Sequence, residues 1–241
     1  MEVQATSEFE TLFPTFVLHK QWDMPKEFND RLYDLAAADC AAHRVMDASD
    51  PRAIGDGGNH ISHLRHNFLT DTIDPTIRVL TSMVSQAVRE FLWAGFRYQH
   101  EGDIAMMSDT FWQRRSEGEN LGIPTHAHSA HEIVCTYYPR LILDANCPGT
   151  PLKRGALRFY DPGGRGNRLW PCDHPQHHTR PDYIITPDQG SMVVFEGHVP
   201  HDSTFFEGDE RMCIPVLCKL DLPNAHRHAT ISEIMEVQNG L

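Results

Sequence analysis

His201 and Arg211 stand ten residues apart in Val199-Pro-His201-Asp-Ser-Thr-Phe-Phe-Glu-Gly-Asp-Glu-Arg211, just after the strand-like run Ser191-Met-Val-Val-Phe195. Upstream lies a second cluster, His126-Ala-His128-Ser-Ala-His131. On a strand, side chains two apart point the same way, so His126 and His128 would stand about 6–7 Å apart at Cα, which suits two ligands of one metal. His201, 75 residues further on, would add a third imidazole from a distant strand. Three protein ligands leave coordination positions open for other molecules. Glu132 shares the parity of the pair but lies about 13 Å beyond His128 by the same rise, so it is a poor partner unless the backbone bulges. Arg211 opens the apolar run Met212-Cys-Ile-Pro-Val-Leu217, where a guanidinium is costly unless it meets a carboxylate, which its planar fork fits. The alternative for such an arginine is a strand end from which it reaches water.

The elements that would position these groups come in two blocks. The first hundred residues read as helices around short extended pieces. Leu12–Leu18 has strand character, and Met24-Pro25 opens a helix with Phe28, Leu32, Leu35 and Ala36 at helical spacing. Residues 44–70 are rich in Asp, Gly, Asn and His and read as loop; His60, His63 and His66 there fit surface or core-edge packing better than metal ligation. A second helix starts at the Asp74 cap with Pro75 in its first turn, carries Ile77, Leu80, Val84, Val88 and Phe91, and is expected to end at Gly95. Strand patterns then follow over 104–107, 110–114, 132–143, 156–160, 183–186, 191–196 and 212–220, separated by turns such as Asp161-Pro-Gly-Gly164. Helices followed by mostly antiparallel strands predict an α+β fold with a sandwich or barrel core. Residues 163–182 read as a long polar loop, and 230–237 as a short terminal helix.

Composition narrows the function classes. The chain has 241 residues, 33 acidic against 21 basic, for a net charge of −12, which argues against sequence-independent binding to nucleic acid or an anionic membrane. No apolar run approaches spanning length. The six cysteines, at 40, 135, 147, 172, 213 and 218, include no C-x-x-C pair, and a reducing cytoplasm fits them best. Cys172-Asp-His174-Pro-Gln-His177-His178 lacks the second spaced pair of a zinc site.

These motifs resemble those of 2-oxoglutarate- and Fe(II)-dependent oxygenases, in particular a bacterial group of them. The resemblance runs over most of the chain: Leu12-Phe-Pro-Thr, the helix to Gly95, Thr125-His-Ala-His-Ser with Thr136-Tyr-Tyr138, Gly155-Ala-Leu-Arg-Phe-Tyr-Asp-Pro162, and most specifically Pro187–Phe195 with Val-Pro-His201 and Glu207-Gly-Asp-Glu-Arg211. It implies one oxygenase domain over 1–241: helical support (1–100), a double-stranded β-helix core of jelly-roll or cupin-like type (101–222) with the helices packed on one sheet, and a tail (223–241). It implies an Fe(II) site, for which His126, His128 and His201 are the first candidates. It also implies 2-oxoglutarate anchored by Arg211 with Tyr138, and Cys213 in the place where many relatives carry serine. The expected reaction consumes O2, releases succinate and CO2, and most simply hydroxylates a small molecule; a carboxylate or amino acid derivative suits the arginines, with Trp112, Arg114 and Arg158 as candidate substrate contacts and structural packing the first expectation for Trp112.

The chain departs from the wider superfamily at the first metal strand, where His-x-Asp or His-x-Glu is usual and His126-Ala-His128 stands here. Three readings stay open: a three-histidine iron site; a carboxylate from elsewhere, Asp161 first, replacing one histidine; or His128 as first ligand with Ala130 in the carboxylate place, as in related halogenases. Two rival functions also stay open. One is a cupin-like three-histidine dioxygenase that does not use 2-oxoglutarate. The other is a non-catalytic jelly-roll binding protein.

Overall fold

A computed structural model describes residues 16–43, 59–61, 67–114, 123, 125–128, 130–143, 154–160 and 182–221. The first elements are β1 (Val17–Gln21), α1 (Lys26–His43), β2 (Asn59–Ile61), α2 (Phe68–Asp71) and α3 (Pro75–Phe96). Then come β3 (Ile104–Ser108), β4 (Phe111–Arg114), β5 (Ile133–Ile142), β6 (Leu157–Tyr160), β7 (Asp182–Ile185), β8 (Ser191–Glu196), β9 (His201–Ser203) and β10 (Glu210–Leu220).

Helix α3 forms where its sequence signals place it. Asp74 accepts from the Thr76 N–H at 2.8 Å, Pro75 occupies the first turn, and Ile77, Leu80, Val84, Val88 and Phe91 are buried along one stripe. Its end differs from expectation. Gly95 lies inside the helix, and Arg97 takes the left-handed cap (φ 54°), with its N–H bonded to the Trp93 carbonyl and that of Tyr98 to Leu92. Gly95 serves packing: a Cβ there would come within 3.0 Å of the Phe16 ring. Within 44–70, expected as loop, the chain forms β2 and the short α2, the latter capped by Asn67.

Two sheets face each other, and every strand pairing described is antiparallel. The larger has seven strands in the order β1-β8-β5-β10-β4-β2, with β3 also paired to β10; the smaller is β7-β6-β9. Helices α1 and α3 cover the outer face of the large sheet. There Leu32, Leu80, Val84 and Phe91 pack on Cys135, Tyr137, Met192, Val194, Met212, Ile214 and Val216. Alternate residues of the same strands (Val134, Tyr138, Val193, Phe195, Cys213, Leu217) meet Leu157, Phe159 and Ile185 of the small sheet. The central strands are therefore buried on both faces.

The β5–β10 ladder slips between Met212 and Ile214, so that Tyr138 and Pro139 face Cys213 alone. This is a β-bulge, and Pro139, with no N–H to donate, suits it. The bulge reverses side-chain parity. Tyr138 points between the sheets, while Arg140, two residues on, turns to the helix face and bonds Glu210 and Asp30. Among the described residues no helix is long and apolar enough to cross a membrane. Cys40, Cys135, Cys213 and Cys218 are buried free thiols.

Candidate metal centre and anion site

His201 opens β9, whose Ser203 and His201 pair with Leu157 and Phe159 of β6. On its other edge the His201 and His126 main chains exchange two hydrogen bonds, each 2.9 Å, as an isolated antiparallel bridge. His126 and His128 therefore do not sit on the regular strand that their spacing predicts. The chain leaves the bridge, His128 N–H bonds the Gly197 carbonyl at 2.7 Å, and a turn closes from His131 N–H to the His128 carbonyl. Gly197 makes this passage possible. A Cβ there would overlap the His131 carbonyl oxygen and come within 2.8 Å of that of His128.

The outcome is one cluster. Ligand atoms of His126, His128 and His201 all lie within 4.8 Å of one another, and the ring centroids are 4.3–5.3 Å apart. His201 is buried against the Phe195 ring (4.6 Å) and near Phe159 (6.2 Å). Its Nδ1 lies 2.9 Å from the Val199 carbonyl. A carbonyl only accepts, so Nδ1 carries the proton and Nε2 keeps its lone pair for a metal. Burial, then the neighbouring His126 and His201 rings, hold His128 down to about 3. Burial likewise holds His201 down to about 4, against the raising effect of the Val199 carbonyl. Both are neutral imidazoles near pH 7, the form that binds metals.

Arg211 lies in the same inter-sheet layer. It is 1% exposed, and its guanidinium lies 5.4 Å from the Tyr138 ring centre and 5.9 Å from that of Phe111. Nη1 donates to Gln113 Oε1 at 3.1 Å, while Nε and the buried Tyr138 hydroxyl have no hydrogen-bond partner among the described residues. Burial pushes the Tyr138 phenol up, with the Arg211 charge opposing, so it stays a protonated donor. Cys213 lies beside them, its thiol pushed up to about 11 by burial despite Arg211. A buried cation that meets no carboxylate among the described residues, next to a buried phenol, is a costly arrangement by itself, and an anion satisfies it.

No protein-family model and no curated protein matches the chain. Solved structures do. It is similar to a prolyl hydroxylase from Trichoplax adhaerens in complex with a hypoxia inducible factor peptide fragment (TM-score 0.55, 13% identity, 85% of this chain and 84% of that one). It is similar to a Pseudomonas putida prolyl-4-hydroxylase (0.51, 13%, 86% and 93%). It is also similar to the epimerase SnoN from nogalamycin biosynthesis, solved with Fe3+, alpha ketoglutarate and nogalamycin RO (0.54, 12%, 88% and 87%). The chain has the fold of the 2-oxoglutarate- and Fe(II)-dependent oxygenases.

Set in that fold, the expected residues divide. His126, His128 and His201 converge, and Arg211, Tyr138 and Cys213 share one neighbourhood. Ala130 is exposed, and all three histidines meet rather than His128 and His201 alone. Trp112 takes the packing role: it faces the helices, donating to Glu210 Oε1 at 3.1 Å and packing edge-on to Tyr33. Arg158 is turned away from the inter-sheet layer. Its guanidinium is engaged by Asp202 (3.0 and 2.7 Å), on the face of β6 opposite Leu157 and Phe159. Arg114 ends β4, with its side chain outside the described residues, as are Asp161, most of the 163–182 loop and the expected terminal helix.

Three contributors escaped sequence reasoning. Gln113 caps Arg211, and Gly155 (φ +64°) leaves it room, since a Cβ there would lie 2.8 Å from Nη1. Asp202 accepts from Arg158, from Tyr160 at 2.6 Å and from Thr125, the neighbour of His126, at 3.3 Å. Burial pushes the Asp202 carboxyl up, but those bonds outweigh it and the net shift is downward. The signal for Gly155 was a lone glycine ahead of a strand; Gln113 and Asp202 carried none.

Proposed function

We propose that the protein is a 2-oxoglutarate- and Fe(II)-dependent dioxygenase on a double-stranded β-helix. It hydroxylates a small carboxylate-bearing molecule, such as an amino acid derivative, and releases succinate and CO2. The observation that carries this reading is the pairing, in one inter-sheet layer, of three clustered imidazoles with a buried guanidinium that meets no carboxylate among the described residues.

In this reading His126, His128 and His201 hold Fe(II), with Asp161 the alternative ligand. Bound iron with 2-oxoglutarate supplies the oxidising chemistry: O2 is reduced as 2-oxoglutarate loses CO2, one oxygen atom entering succinate and the other the substrate. The chain's own residues position and shield. Val199 fixes the His201 tautomer, Arg211 and Tyr138 hold the far carboxylate, and Phe111, Phe159 and Phe195 keep water from the layer. A set of three histidines, with no carboxylate in the cluster among the described residues, also favours a second reading, a cupin-like dioxygenase that binds its substrate directly to iron. That reading gives Arg211 no task.

Anaerobic addition of Fe(II) and 2-oxoglutarate is expected to give a visible charge-transfer band and, on admitting O2, succinate. His201→Ala is expected to abolish the band. Arg211→Ala weakens 2-oxoglutarate binding by about 10- to 100-fold, from the loss of charge-assisted hydrogen bonds to a buried anion. No band in the wild type, or an unchanged one in both variants, sinks the proposal, and O2 uptake without succinate points to the cupin-like reading.

A further inference from the structure

Among the described residues, the Arg211 guanidinium is held on its Nη1 flank. Nη1 donates to Gln113 Oε1, and the same nitrogen sits against Gly155, where no Cβ intrudes. On the other flank Nε meets no hydrogen-bond acceptor among the described residues, and the Tyr138 hydroxyl beside it feels only the guanidinium. Gln113 is fully buried and lies directly across the β4–β10 ladder from Arg211, so the two side chains share a face. An amide oxygen is an unusual choice beside a buried cation. A carboxylate of the same length would cancel the charge, whereas a glutamine accepts one N–H and leaves the charge intact.

We infer that Gln113 is a positioning residue that sets which edge of Arg211 receives an anion. It occupies Nη1 and turns the Nε edge, together with the Tyr138 hydroxyl, toward the distal carboxylate of 2-oxoglutarate. This rests on the proposed function for the identity of the anion. Gln113 touches the guanidinium and not the reacting atoms, so it sets selectivity for a dicarboxylate and not metal binding.

The test compares two acids of equal chain length, 2-oxoglutarate and 2-oxopentanoate, which lacks the distal carboxylate. Each is titrated calorimetrically and anaerobically into the Fe(II)-loaded full chain. The wild type is expected to prefer the diacid. In Gln113→Glu the preference falls to about unity, because the new carboxylate pairs with Arg211. In Gln113→Met it falls about tenfold, from the loss of the bond that orients the guanidinium. Tyr138→Phe, which removes one oxygen from the same edge, lowers it to a similar degree. Fe(II) affinity without either acid stays at the wild-type value in all three, which a general packing defect would not allow. A diacid preference retained in Gln113→Met or in Gln113→Glu overturns the inference and leaves the oxygenase reading standing. A wild type that does not prefer the diacid overturns both.

Discussion

Two imidazoles of the cluster carry a pH dependence that belongs to the residues themselves. His128 and His201 sit at about 3 and about 4, against an ordinary 6.5. Between those values the unfolded chain takes up protons that the folded chain refuses. Their contribution to stability is therefore complete above pH 6.5 and is lost progressively as pH falls through that window. Urea midpoints of metal-free protein are expected to drop between pH 7 and pH 4, and a double His128→Gln, His201→Gln variant to show a flatter profile. Equal slopes in both would contradict the assignment. At this scale the sequence was legible where chemistry is rare. Histidines two apart, and an arginine inside an apolar run, have few structural uses. It was illegible where only facing matters. Trp112 and Arg158 have the right side chains for a polar pocket, but one points to the helices and the other lies across its sheet from the inter-sheet layer. Gln113 looks like any polar residue at a strand end, and only its partner across the ladder gives it meaning.

Among elements, the passage from Glu196 to His201 does the most with the least. Gly197 touches two carbonyls of the His128–His131 turn, and its own carbonyl takes the His128 N–H. Gly197→Ala is expected to displace His128 and weaken Fe(II) or Co(II) binding by about 10- to 100-fold, as losses of outer support around a metal do. Circular dichroism should stay that of the wild type; unchanged metal affinity would remove Gly197 from the site. The helices were readable because caps and stripes are local signals: Asp74, Pro75 and the Ile77–Phe91 stripe act within a few residues. The end of α3 was misread because Gly95 answers to Phe16, far away in sequence. The first histidine pair looked like a strand, yet it is a two-residue bridge and a turn, since its partners are a segment 75 positions on and a glycine carbonyl.

For the whole molecule, helices followed along the chain by strands already implied an α+β fold with a sandwich or barrel core. The order of the strands was not recoverable. In β5, β8 and β10 both faces are buried, so their apolar runs show no alternation to say which side meets the helices. The two layers also differ in kind. The helix-side layer is large and mainly apolar, and the inter-sheet layer holds the buried Arg211 guanidinium and Tyr138 phenol. Ligands that satisfy the second layer should stabilise the whole. Fe(II) with 2-oxoglutarate at about a hundred times its dissociation constant is expected to raise the melting temperature by about 5–10 °C, reversibly on chelation. A melting temperature indifferent to both would count against the anion site. The histidine cluster also occupies a particular place in the sandwich. The chain passes from the large sheet to the small one between β8 and β9, and the stretch from His126 to β5 makes the reverse crossing. A metal there would fasten both crossings like a clasp at the open end of a folder. Chelation should then speed amide hydrogen exchange at 125–131 and 197–203 well before it touches the strands beneath the helices.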